Sequence, residues 1–402
     1  MKRYFLISLY LTSFSLFGES KEEKIENNTP LLSQENSVTL SQSFGQVYDY
    51  LKTRGVLPYG GPMLRASVDG EFSLAYILWQ VNEEGLEYGY SGRFNPTQTP
   101  NFHAHLGQGV VLYPDFKLES GFKMGMGIYF SHDRWELDFN YTWLHANAFQ
   151  FHTFSSTDSA AIPIYDTYFT IPPVFIAPSS VLTIIPNETG IVALNQTGAW
   201  WHFQFNALDM ELSRISFVSP KMLLEVYYGL KWTRQKQTYT IRYLGPNLLF
   251  GQNSSFDLIL DRYKIHLKQY YWGFGPRGGV NLDWLITRHV QLFGDMAISC
   301  LWGQFRITRN DHAFNESGYQ ADFQGGELLN TRNRIHGINA VFEMQMGLRY
   351  DFYFPDNDYR LRLQGAWESQ LWFNQNHWIN PGRNTRGDLS LQGMTLSLQL
   401  DF

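Results

Sequence analysis

From Phe72 to the last residue, apolar and polar side chains alternate at every second position in stretch after stretch. In residues 121–130 the even positions are Phe122, Met124, Met126, Ile128 and Phe130, and the odd ones are Gly121, Lys123, Gly125, Gly127 and Tyr129. Residues 134–143 set Trp135, Leu137, Phe139, Tyr141 and Trp143 against Arg134, Glu136, Asp138, Asn140 and Thr142. A period of two describes a strand with one apolar and one polar face. Ser131-His132-Asp133 between the two stretches predicts a hairpin turn. The same alternation governs 222–232, 280–284, 290–305, 338–350 and 360–371, and the chain ends on Met394, Leu396, Leu398, Leu400 and Phe402 against Gly393, Thr395, Ser397, Gln399 and Asp401.

Alternation of this kind suits either a soluble sandwich or a transmembrane barrel. Sandwich strands run to about 5–6 residues, whereas these runs reach ten and more. A strand of ~10 residues tilted by about 40° covers roughly 25 Å, the height of an outer-membrane apolar band. In hydrocarbon every backbone group must be paired, so spanning strands close into a cylinder and the terminal strand pairs with the first. The predicted fold is therefore all-β, a closed antiparallel transmembrane β-barrel with short periplasmic turns and long extracellular loops. Short connections fall near 131–133, 216–221, 287–289 and 355–358. Long ones fall near 148–196, 235–261, 309–334 and 374–386. Counting spans gives about ten strands if 67–90 and 107–130 are each one bent strand, and about twelve if either is broken.

Aromatic spacing agrees with this. Trp135 and Trp143 share a face about 20 Å apart along the membrane normal, and Trp272 and Trp284 share one about 30 Å apart. Such pairs suit the two interfacial belts, where an indole keeps its ring among head groups and its N–H wet.

Composition changes the picture in three respects. Of 402 residues 44% are hydrophobic and 17% aromatic, yet only 17% are charged, and the mean hydropathy is −0.28. Apolar residues are plentiful but dispersed. A net charge of −6 excludes a strong basic footprint and with it nucleic acid as a partner. Cys300 is the only cysteine, so an internal disulfide and a cysteine metal cluster are excluded. At the N-terminus Lys2 and Arg3 precede an apolar stretch, Tyr4 to Phe17, and then Gly18-Glu19-Ser20, the pattern of a cleaved secretory signal. The expected organisation is a signal peptide over 1–20, a polar periplasmic segment over 21–66 with one short helix around Phe44–Leu51, and the barrel over 67–402.

Chemical motifs are weak. Gly273-Phe274-Gly275-Pro276-Arg277-Gly278 fits a dinucleotide fingerprint, but Pro276 and continued alternation deny the helix such a site needs. Ser131-His132-Asp133 holds triad residue types that cannot converge as neighbours in one turn. His103 and His105 share a face without a third metal ligand. No cofactor, metal or catalytic residue is expected, and the chain reads as a non-enzyme. Cys300 shares the lipid-facing phase with Met296, Ile298 and Trp302.

Residues 121–145 (GFKMGMGIYFSHDRWELDFNYTWLH), 271–284 (YWGFGPRGGVNLDW) and 387–402 (GDLSLQGMTLSLQLDF) resemble the Legionella-type major outer membrane protein family, pore-forming barrels also abundant in chlamydia-related bacteria. The resemblance continues more weakly from about Val68 to the end. It implies a pore in the bacterial outer membrane and, for some members, host contact. Leu398, Leu400 and Phe402 resemble the C-terminal signature read by the outer-membrane assembly machinery. The cysteine-rich cross-linking of chlamydial major proteins is absent here.

Function is then expected on the inward face. Lys123, Arg134, Lys231, Arg277, Arg349, Arg360 and Arg362 there meet Glu136, Asp138, Glu225, Asp283, Asp295, Glu343 and Glu368. Mixed charge in a wet lumen suits a porin-like protein passing small hydrophilic solutes or ions with weak selectivity. The alternative is a surface adhesin or structural barrel whose charges pair across a narrow lumen and close it. The Pro-rich, apolar segment 160–195 is expected to fold into the mouth and narrow it. Outer-membrane lipids, the assembly machinery, small solutes and a host or neighbouring surface are the expected partners, and a homo-oligomer stays open.

Overall fold

The computed structural model describes residues 68–93, 109–130, 135–154, 159–163, 196–219, 221–250, 258–287, 289–314, 325–354, 359–380 and 386–402. The signal peptide, the 21–66 segment, His103, His105, Ser131-His132-Asp133, Arg134 and most of 160–195 lie outside them.

Ten strands form a closed antiparallel barrel: β1 (Val68–Glu83), β4 (Leu118–Phe130), β5 (Trp135–Thr153), β7 (Gln196–Ser219), β8 (Met222–Phe250), β9 (Leu258–Leu285), β10 (Val290–Phe314), β11 (Gly325–Tyr353), β12 (Arg360–Asn376) and β13 (Gly387–Asp401). Three short strands, β2 (Gly89–Arg93), β3 (Gly109–Leu112) and β6 (Ser159–Pro163), form a separate sheet in the order β3-β2-β6. The stretches 67–90 and 107–130 are thus not single bent strands, because each breaks between a barrel stave and a short strand of this second sheet. The count is ten all the same.

The C-terminal strand closes the cylinder, with Phe72 opposite Leu400 and Leu78 opposite Met394. At its end Gly70 and Phe402 exchange both backbone hydrogen bonds, 2.8 and 2.9 Å. On β13 the apolar Leu396 is 45% exposed and its polar neighbour Thr395 only 2%. Ile338, Met346 and Trp302 likewise face out at 71%, 64% and 55%. A surface this apolar is covered by lipid, since a water-facing wall would hide these side chains.

Strand length departs from expectation. β8 and β11 each run for 29 residues, roughly 70 Å at a 40° tilt, more than twice the bilayer's apolar thickness. Above the lipid belt the alternation keeps its phase but the two faces exchange polarity. On β8, Val226, Tyr228, Leu230 and Trp232 face out below, whereas Tyr239, Ile241 and Tyr243 are buried inside above, with Arg234, Lys236 and Arg242 outside. Beyond the lipid the outer wall meets water, so apolar side chains turn inward as in a soluble protein. Much of 235–261 and 309–334, expected as loop, is therefore barrel wall.

Candidate functional site: the lumen

The interior has two layers. The lower one, level with the lipid belt, is a network of charges brought together because alternate positions of each strand point inward, the odd ones on β4, β7, β8, β9, β10, β11 and β13 and the even ones on β5 and β12. Lys231 on β8 reaches Asp209 on β7 (2.8 Å) and Glu343 on β11 (2.7 Å). Arg277 on β9 binds Glu211 on β7 (2.6 Å) and also Glu343, so one carboxylate serves two cations. Arg349 pairs with Asp283 (2.5 Å) and lies over the Phe293 ring, 3.9 Å from its centroid. Arg362 pairs with Asp351 (2.7 Å) and Arg360 with Asp401. Lys123 spans from β4 to Glu368 on β12 (2.5 Å) and sits 4.9 Å above the Trp79 ring. Glu368 also accepts bonds from Thr395 (3.1 Å) and Gln370 (3.0 Å).

Every described residue assigned to the lumen from sequence lies on this inward face. Asp295 accepts a bond from Tyr227 (2.8 Å) and Glu225 one from Asn281 (3.0 Å). Glu136 and Asp138 gather with Glu71, their carboxylate oxygens within 4.8 Å of one another, and Gln399 donates to Glu71 at 2.6 Å. Sequence reasoning missed Asp209, Glu211, Asp351 and Asp401. Each stands in the inward phase of its strand, and extending the alternation through 203–213 would have found the first two. Trp135, Trp143, Trp272 and Trp284 stand on the outward face.

Above this layer the lumen is packed with rings and aliphatic chains. Trp79, Trp201, Phe203, Phe205, Tyr239, Leu301 and Trp372 belong to one buried cluster. Phe205 on β7 and Trp372 on β12 meet edge to face with centroids 5.5 Å apart. These strands are five staves apart whichever way the ten are counted, so the contact bridges the full diameter. No water-filled gap separates two rings at that distance.

Two segments at strand ends add to the filling. After β1, Gly85 adopts φ +80°, a left-handed turn that glycine takes without steric penalty. The chain then places the Leu86 carbonyl under the Tyr239 hydroxyl (2.6 Å) and the Tyr88 carbonyl under the Tyr243 hydroxyl (2.5 Å). Near the end of β12, where its register with β13 shifts between Trp372 and Asn376, Asn374 takes φ 53°. Gln375 then donates across the barrel to Gln235 (2.8 Å), and its carbonyl accepts from Gln269 (2.8 Å). His377 packs edge-on to Phe305, centroids 4.3 Å apart, with burial and then the Arg386 charge holding its imidazole below the usual histidine range. The segment expected to narrow the mouth, 160–195, lies outside the described residues apart from its start in β6, which pairs with β2.

Residues 71–402 match the family described as Legionella pneumophila major outer membrane protein precursor. The chain belongs to that family. No curated protein matches it significantly. Among solved structures, the outer-membrane protease OmpT of Escherichia coli is 12% identical, covering 83% of this chain and 96% of its own, with a TM-score of 0.35. A major outer membrane protein from Thermus thermophilus is 10% identical over 84% of this chain and 100% of its own, with a TM-score of 0.25. A Pseudomonas aeruginosa FadL homologue is 9% identical over 84% and 90%, with a TM-score of 0.27. At such identities the likeness concerns the barrel alone. Membership in this family places the protein in the outer membrane.

Proposed function

We propose that this outer-membrane barrel is a sealed scaffold: it anchors an extracellular platform in the membrane and does not serve as an open diffusion pore. The contact of Phe205 with Trp372 across the diameter carries this reading. A porin for small hydrophilic solutes needs a continuous water path, and such a path would have to part these rings and the Lys231–Asp209–Glu343–Arg277 network beneath them. The platform in this reading is the tall outer part of the barrel together with the β3-β2-β6 sheet, and its partner would be a host or a neighbouring surface. No catalytic step belongs to this role.

One observation favours a second reading, a pore opened by displacement. The segments 84–88 and 377–380 lie outside the strands, and such segments open at lower free energy than a strand ladder. Planar-bilayer recording of the refolded protein separates the two. A sealed scaffold gives no steady conductance at low voltage, and stable ohmic steps from the unmodified protein would refute it.

A further inference from the structure

The outer wall carries a one-sided basic band directly above the lipid belt. Four strands are in register there, so the rows can be read across them. Trp232, Phe274, Trp302 and Ile338 form an apolar row, all exposed. The next row toward the exterior is Arg234, Trp272, Gln304 and His336. Above it stand Lys236, Tyr270, Arg306 and Arg334, then Thr238, Lys268, Thr308 and Arg332. Three rows thus hold Arg234, Lys236, Lys268, Arg306, Arg332 and Arg334 and no carboxylate. None of these cations forms an ion pair among the described residues, in contrast with the inward-facing ones. Lys236 lies 5.7 Å from the Tyr270 ring centroid, and Arg306 spends only its Nε on Gln304 (2.9 Å), leaving its terminal nitrogens free to donate. A groove of about 370 Å³ opens on the same wall, lined by Lys268, Tyr270, Thr308, Asn310 and Arg332 among others. On the far side of the barrel, the β1–β13 pair has Glu84 and Asp388 beside Arg386 at this end.

We infer that this band binds the phosphorylated head groups of the glycolipid in the outer leaflet. The position argues for a lipid, because the band is continuous with the hydrocarbon-facing row, so a molecule whose acyl chains lie on Trp302 and Ile338 brings its head group to Arg306 and Arg334. The chemistry argues for phosphate, since guanidinium groups donate two parallel bonds to its oxygens. The size fits as well: four strands about 4.8 Å apart make a row of roughly 14 Å, the scale of a disaccharide with a phosphate at each end. This inference is independent of whether the lumen conducts.

The test uses the full refolded barrel in detergent, its folded state checked by heat-modifiable gel migration. Diphosphorylated lipid A, its dephosphorylated form and inorganic phosphate are titrated separately, and the thermal midpoint is followed. The diphosphorylated lipid should raise the midpoint at concentrations at least tenfold lower than the dephosphorylated one, with the difference shrinking as salt rises. The triple variant Arg306→Gln, Arg332→Gln, Arg334→Gln should abolish that tenfold preference, and Glu84→Gln on the opposite wall should preserve it. Equal responses to both lipids, an unchanged preference in the triple variant, or a shift of the same size with inorganic phosphate would each overturn the assignment.

Discussion

Replacing Lys231 by methionine asks directly whether water reaches the charged layer. The Lys231 side chain is 1% exposed and its partners Asp209 and Glu343 are 10% and 9% exposed. Methionine keeps most of the volume and removes the charge. Glu343 retains Arg277, but Asp209 is left without the cation that bonds both its oxygens at 2.8 and 3.0 Å. Stranding a charge in a dry interior costs about 3–5 kcal/mol, a hundredfold to several-thousandfold shift in the unfolding equilibrium. In a hydrated channel the same pair would contribute about 0–1 kcal/mol. The two accounts of the lumen therefore differ by a measurable amount. Urea unfolding of the refolded barrel in micelles, followed by tryptophan fluorescence, gives the loss. Adding Asp209→Asn should recover most of it, because the stranded charge is then gone, and a double-mutant cycle isolates the coupling. A loss below about 1 kcal/mol, or no recovery in the double variant, would place water beside Lys231 and refute the sealed lumen.

Trp372→Ala removes the ring that meets Phe205. It should destabilise by about 3–5 kcal/mol through the cavity it leaves, with flickering conductance appearing in bilayers where the unmodified protein is silent. His377 is held below the usual histidine range in the folded chain, so the unfolded chain binds more protons as pH falls through about 6.5. Its stabilising contribution is full above that pH and fades below it, by up to about 1.4 kcal/mol per pH unit. His377→Gln should flatten the acid limb of stability against pH between about 6.5 and 5, and an unchanged limb would refute the burial of that ring. Cys300, exposed on the outward face among Ile298 and Trp302, should react in vesicles with a lipid-soluble maleimide and resist a charged one. Equal labelling by both reagents would put that face in water.

How much was legible beforehand depends on how local the cause was. The closing strand 394–402, the strands β4 and β5 and the inward phase of Glu343 or Arg349 follow from a period of two, which any single strand displays by itself. The exchange of polarity along β8 was also written in the chain, since Tyr239, Ile241 and Tyr243 alternate with Arg242 and Lys236. The sequence pattern there resembles a loop because the apolar residues move to the other face. Strand count was harder, because whether 84–93 continues a stave or leaves it depends on Gly85 and on the separate sheet that receives β2.

The sequence by itself determined which residues face lipid and which face inward, that the cylinder must close, and to which family the chain belongs. Only the tertiary structure decided what fills the interior. Phe205 and Trp372 are 167 residues apart in the chain, and Lys231 is paired with Asp209 and Glu343 by register and by curvature across the barrel. Alternation reports direction toward or away from an axis. The distance across that axis follows from the number, tilt and stagger of all the strands together, and that distance brings these side chains into contact.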